Sequence, residues 1–183
     1  MRSPMHASLI AVAAAAALSA GTAMAKEYPI GKPKTLNGME VAAVYLQPIE
    51  MEPAGMMRPA AESDIHLEAD IHAAKANPNG FPEGEWMAYL VVHYELTKLD
   101  AGQVLKGELM PMVANDGPHY GENLKLMGAG KYKLTLTILP PSENQHVHFG
   151  RHVDKETGVA PWFKPFTVDF EFTFAGTGKK GAY

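Results

Sequence analysis

Ser63 to His72 reads Ser-Asp-Ile-His-Leu-Glu-Ala-Asp-Ile-His and alternates without a break. In an extended chain Asp64, His66, Glu68, Asp70 and His72 fall on one side, and Ile65, Leu67, Ala69 and Ile71 on the other. A helical pitch would scatter Ile65, Leu67 and Ile71 around the axis, so the segment reads as a strand. A row of carboxylates and imidazoles is a costly surface unless something sits on it. Two readings compete: the solvated outer face of an antiparallel sheet, or a metal site, since imidazole and carboxylate one strand step apart can aim at one cation.

Two other places concentrate coordinating side chains. Met110, Met112 and His119 stand at the end of an apolar run and in the loop predicted after it. Gly150-Arg151-His152-Val153-Asp154 lies in a long polar loop that also carries His146 and His148. Imidazole with thioether and no thiolate suits copper, because methionine is a soft ligand favoured by Cu(I). The chain has no Cys. A blue-copper carrier needs a Cys ligand, so that class is excluded, and Met is outside the usual zinc set. Each residue also has an ordinary role open to it. Met112 fits a strand-end core position, His119 a turn after Pro118, and His93 a hydrogen-bonded place inside an apolar strand. Met56-Met57 could cover a sheet edge, and Asp100 and Asp116 fit turns.

The elements that would position these groups are strands. Lys26 to Asn37, with Pro29, Gly31 and Pro33, predicts an extended N-terminal arm. Met39 to Gln47 predicts a first strand, and Pro48 to Glu62, with Met51, Met56 and Met57, a loop. Trp86 to Leu96 predicts a long apolar strand. Leu105 to Val113 predicts another, followed by a loop from Ala114 to Gly121. Gly130 to Leu139 alternates and stops at Pro140-Pro141. Phe166 to Phe174 alternates with Phe166, Val168, Phe170, Phe172 and Phe174 inward. Short strands divided by Gly/Pro turns, with no sustained helical period, predict an all-β sandwich or barrel.

Residues 1–25 read as a secretory signal peptide. Arg2 supplies the charged start, Leu9 to Leu18 the apolar run, and Ala23-Met24-Ala25 the cleavage signal, which leaves 26–183 as the mature domain. The run is shorter than the ~18 apolar residues of a membrane span. Without Cys there is no lipid anchor on a cysteine and no disulfide. Export without disulfides points to the periplasm. Losing Arg2 takes the formal charge from −4 to −5, which argues against nucleic acid or an anionic membrane surface as partner.

Three motifs, in order, carry a resemblance. They are Asp64-Ile65-His66-Leu67-Glu68-Ala69-Asp70-Ile71; Pro111-Met112 with Asp116-Gly117-Pro118-His119-Tyr120-Gly121; and Gly150-Arg151-His152 running to Thr157-Gly158-Val159. Together they resemble the periplasmic iron-transport proteins that accompany high-affinity iron permeases in Gram-negative bacteria. The resemblance covers essentially the whole mature chain. It implies an immunoglobulin-like β-sandwich, a homodimer, copper binding and a role in iron uptake through an inner-membrane permease. It also implies copper ligands at His66, Met112, His119 and His152, with Glu68 as the neighbouring carboxylate. Glu27 is the candidate for an acidic residue reaching the site from a partner's N-terminal arm. Asn144-Gln145-His146-Val147-His148 enlarges the last loop relative to the family pattern, so His148 competes with His152 for the third imidazole position.

The leading functional expectation is a periplasmic metal-binding component of iron uptake. Copper would sit at the His/Met site and iron, or manganese as its surrogate, on Glu68 with Asp70 or Asp116 in reach. Nothing in the sequence demands turnover, although copper could support iron redox chemistry. The alternatives are a copper chaperone or scavenger without an iron role, and a structural sandwich with an incidental His-rich rim. A site built on imidazoles should lose copper below about pH 6.5, where free His protonates.

Overall fold

The computed structural model describes residues 26–178; the signal peptide expected over 1–25 lies outside them. Nine strands follow one another: β1 (Tyr28–Pro29), β2 (Lys34–Leu36), β3 (Met39–Leu46), β4 (Ile65–Ala73), β5 (Val91–Lys98), β6 (Val104–Ala114), β7 (Gly117–Leu124), β8 (Gly130–Leu139) and β9 (Phe166–Phe174). The only helical turns among the described residues are two short 3-10 segments, Ala60–Glu62 and Pro141–Glu143. Among the described residues no helix is long and apolar enough to cross a membrane.

All pairings are antiparallel, and the strand order is β1-β3-β4-β7-β6-β5-β8-β9, with β2 also on β3. The sheet curls on itself into an all-β, immunoglobulin-like sandwich. The fold turns at β6. Its first half pairs with β5, from Val104 opposite Thr97 to Leu109 opposite Val92. Its second half pairs with β7, from Met110 opposite Gly121 to Ala114 opposite Gly117. One strand therefore belongs to both layers.

The core lies between the layers. Ile65, Leu67, Ala69 and Ile71 of β4 are fully buried, as are Leu134, Leu136 and Ile138 of β8. Val168, Phe170 and Phe174 of β9 are buried on the same side, while Phe166 and Phe172 are half-buried against it. Each buried Ile or Leu contributes roughly 1.5–3 kcal/mol. That gain lets β4 bury its polar face as well, where each unpaired polar group costs a few kcal/mol.

Two predicted elements and the place of His93 differ from the structure. The segment Ala114 to Gly121 is a tight hairpin, with Asn115-Asp116 at its tip, that continues at once into β7, so His119 stands on a strand rather than in a loop. Pro118 is tolerated because β4 joins β7 only from Tyr120 onward, which leaves Pro118 facing β6 alone. The run from Trp86 to Leu96 is broken. Tyr89 has a left-handed φ of 62°, and only Val91 onward is strand, with Trp86 making a single bridge to His72. His93 is exposed and faces Glu108 at 3.9 Å, not the core.

Candidate metal centre

The alternation of β4 sends His66 and Glu68 to the face opposite the core, and register supplies their neighbours. His66 lies opposite Asn123 and Glu68 opposite Gly121 on β7. Met110 lies opposite Gly121 and Met112 opposite His119. Directly opposed residues share a face. His66, Glu68, Met110, Met112, His119 and Asn123 therefore surround one position, Gly121, that carries no side chain.

That hollow is where the ligand atoms converge. A Cβ on Gly121 would lie 2.6 Å from His66 Nε2 and 3.2 Å from Met112 Sδ. Glu68 Oε1 is 3.6 Å from His66 Nε2 and 3.3 Å from His119 Nε2. The two imidazoles stand edge to face with centroids 5.9 Å apart. His66, Glu68 and His119 are all buried and offer ligand atoms within 4.8 Å of one another. Both Nε2 atoms are buried without a hydrogen-bond partner. Such orphans are rare in folded proteins and call for an explanation.

Asn123 fixes the chemistry of His66. Its Oδ1 accepts the Ile49 N–H at 3.1 Å, and its Nδ2 donates to the carbonyls of Ile49 and Arg58 at 2.8 and 3.0 Å. These bonds set which end of the amide is oxygen. The 3.0 Å contact from His66 Nδ1 to Oδ1 then requires the proton on Nδ1. Nε2 is left with its lone pair aimed into the hollow, the arrangement typical of an imidazole that binds a metal. Asn123 was not singled out from the sequence, and Gly121 entered there only as the last residue of a motif read as a loop. Both lie in register with His119 at period two, so reading Gly117–Leu124 as a strand would have placed them on the site's face.

The electrostatics agree. Burial pushes His66 down to about 4; the Asn123 hydrogen bond works the other way and His119 adds to the lowering. Burial pushes Glu68 up to about 8, assisted by the charges of Asp70, Glu27 and Asp116. At neutral pH the pair is a neutral imidazole beside a protonated carboxyl, which a cation would convert to a charged ligand. Asp70 is raised chiefly by burial, and Glu27 by burial together with a hydrogen bond to Asp116. Glu27 of the chain itself lines the cavity, about 790 Å³ in volume, that opens on the site.

His152 is elsewhere in the chain. Its loop is tied to the turn beyond β4 by bonds from Ala160 N–H to Pro78 O and from Asn79 Nδ2 to Ala160 O. His66 sits near the other end of β4, roughly 20 Å away at the usual strand rise. The His152 ring is nonetheless oriented by its own loop. Thr157 Oγ1 donates to Asp154 Oδ2 at 2.8 Å and receives His152 Nδ1 at 2.7 Å. The proton is thus on Nδ1, and the Nε2 lone pair is free on an imidazole that is 74% exposed. Among the described residues, no side-chain hydrogen bond orients His148 in this way.

The fold and site together define a mixed imidazole, thioether and carboxylate centre on a β-sandwich. Residues 24–176 match the family described as Fe2+ transport protein, and the chain belongs to it. It is 74% identical over 161 residues to a UPF0423 protein of Brucella abortus, covering 88% of each chain. It is 39% identical over 156 residues to the 34 kDa membrane antigen of Treponema pallidum, covering 82% of this chain and 75% of that one. Among solved structures, copper-reconstituted P19 of Campylobacter jejuni is 58% identical with a TM-score of 0.80, covering 84% of this chain and 99% of its own. FetP of uropathogenic Escherichia coli, expressed recombinantly in the periplasm, is 56% identical with a TM-score of 0.79 over 84% and 99% of the two chains.

Proposed function

We propose that the protein is a periplasmic metal-binding component of iron uptake. Copper is held by His66 Nε2, His119 Nε2 and Met112 Sδ, and ferrous iron is the cargo, taken on Glu68 and the carboxylates outside it, Asp70, Asp116 and Glu27. The observation that carries this reading is the pair of buried, unpartnered Nε2 atoms facing Glu68 across the Gly121 hollow. Relatives solved with copper, P19 and FetP, support the metal. The soft side of the site fits Cu(I) and the acidic side a harder cation. Bound copper would supply one-electron chemistry; the chain would hold it through these groups, with the His66 tautomer fixed by Asn123.

His152 enters from a second copy in this reading. Among the described residues its exposed, oriented Nε2 meets no other ligand of its own chain, and a homodimer that lays one copy's loop over the other's cavity would complete the ligand set. Iron released from the carboxylates passes to an inner-membrane permease. The four methionines that line the cavity, Met51, Met56, Met110 and Met112, favour the second reading, a copper chaperone without an iron role.

One experiment separates the two. Glu68→Gln and Met112→Leu proteins are each titrated with Cu(I) and with Mn(II), a redox-stable stand-in for ferrous iron. Glu68→Gln should lose Mn(II) and keep most Cu(I) binding, and Met112→Leu should do the reverse. A parent protein that binds Cu(I) but no Mn(II) would leave only the chaperone reading.

A further inference from the structure

Met51 and Met56 have no place in the ligand set above, yet they line the same cavity as Met112, His66 and His119. Exposure falls inward along the set. Met56 is 59% exposed, Met51 and Met112 are half-buried, and His66 is fully buried. A thioether held in solvent forgoes much of the roughly 1.5–3 kcal/mol that burying a Met side chain provides, so packing does not account for Met56. Thioethers are uncharged, polarisable ligands that favour Cu(I) over harder cations.

The loop that bears them is held in place. Asn123 bonds Ile49 at both N–H and carbonyl, and Arg58 at its carbonyl. A single side chain thus clasps both ends of the segment from Ile49 to Arg58, and the same Oδ1 orients His66. The sulfurs are therefore presented over the cavity from a closed loop of the compact surface type often used for function.

We propose that the loop from Ile49 to Arg58 is a thioether port for a soft monovalent ion, Cu(I) or Ag(I). Met56 captures the ion at the mouth, and Met51 hands it inward to Met112 and His66. The inference rests on the copper reading of the His66 site. Each step is a ligand exchange. One metal–sulfur bond forms as the outgoing ligand leaves, the ion keeps its oxidation state, and no proton moves.

The test loads metal-free protein from a Cu(I)–bicinchoninate complex and records both the transfer rate and the equilibrium competition. The variant is Met51→Leu with Met56→Leu, which preserves volume and apolar character. Its Cu(I) loading should slow by about tenfold or more, while its end-point affinity and its loading with Cu(II) stay at the parent's values. An unchanged Cu(I) rate overturns the port. A fall in end-point affinity overturns it too, because the sulfurs would then be permanent ligands. Equal slowing with Cu(II) overturns it by making the loop a steric gate. A second arm titrates the His66→Ala, His119→Ala protein with Ag(I). It should retain Ag(I) binding that the added methionine substitutions remove, and no retained binding rejects the port. A parent that binds no copper refutes the reading beneath, and the Ag(I) arm then decides the port independently.

Discussion

Glu68 governs more of the response to pH near neutrality than the buried imidazole it faces. His66, lowered to about 4, is already neutral at pH 7 and owes no proton to an incoming metal. Competition by protons at this ligand begins well below the ordinary imidazole range, so His66 is not the group behind the expected loss of copper below about pH 6.5. Glu68, raised to about 8, holds its proton at pH 7. A metal that binds it must displace that proton, so affinity should fall about tenfold per pH unit below 8. Calorimetry of Mn(II) binding in two buffers of different ionisation enthalpy should show release of about one proton at pH 7, fading above pH 8 and absent in Glu68→Gln. Stability of the metal-free protein follows from the same two groups. The folded value of Glu68 lies above its ordinary 4.5, so its contribution is lost as pH rises from there toward 8. The folded value of His66 lies below its ordinary 6.5, so its contribution is lost as pH falls from there toward 4. Metal-free melting temperatures should therefore decline in both directions from a mildly acidic optimum, and bound Mn(II) should flatten the alkaline side.

At the scale of elements, the site depends on β4, β6 and β7 approaching over a residue without a side chain. Gly121→Ala would push a methyl to 2.6 Å from His66 Nε2, closer than any relaxed contact. The imidazole must move off the hollow. The variant should fold with a loss of roughly 1–3 kcal/mol and bind Cu(I) far more weakly than the parent, read by thermal melts and competition titration. A variant with parental Cu(I) affinity would show that the hollow is not the binding position. The same elements decide what could be read from sequence. The alternation of β4, β8 and β9 is visible because each strand keeps its apolar side chains to one face, and period two survives in the sequence. β7 was hidden because Gly117, Pro118 and Gly121 read as turn residues. Each has a specific reason to be in a strand here: the first position after a hairpin tip, a stretch without a second neighbour, and a space left for ligands. Asn123 was illegible for another cause. Its role comes from contacts with His66, Ile49 and Arg58, far from it in sequence, and no local pattern announces them.

For the whole molecule, the separation of His152 from the hollow makes assembly part of the proposed function. Untagged protein spanning residues 26–183 should sediment as a dimer at low concentration. His152→Ala should weaken Cu(I) binding in the dimer while leaving its melting temperature near the parent's, because the side chain is exposed and bonded only within its own loop. A monomer that binds Cu(I) at full strength would remove His152 from the ligand set. The strand shared between the two layers has a further consequence. Ligation at Met112 engages only the half of β6 that pairs with β7, whereas Val104 to Leu109 stay paired with β5. Deuterium uptake by the amides should therefore respond unevenly along this one strand. On addition of Cu(I), exchange should slow from Met110 to Ala114 and stay unchanged from Val104 to Leu109, so that a single continuous β-strand serves as both gauge and internal reference for metal occupancy.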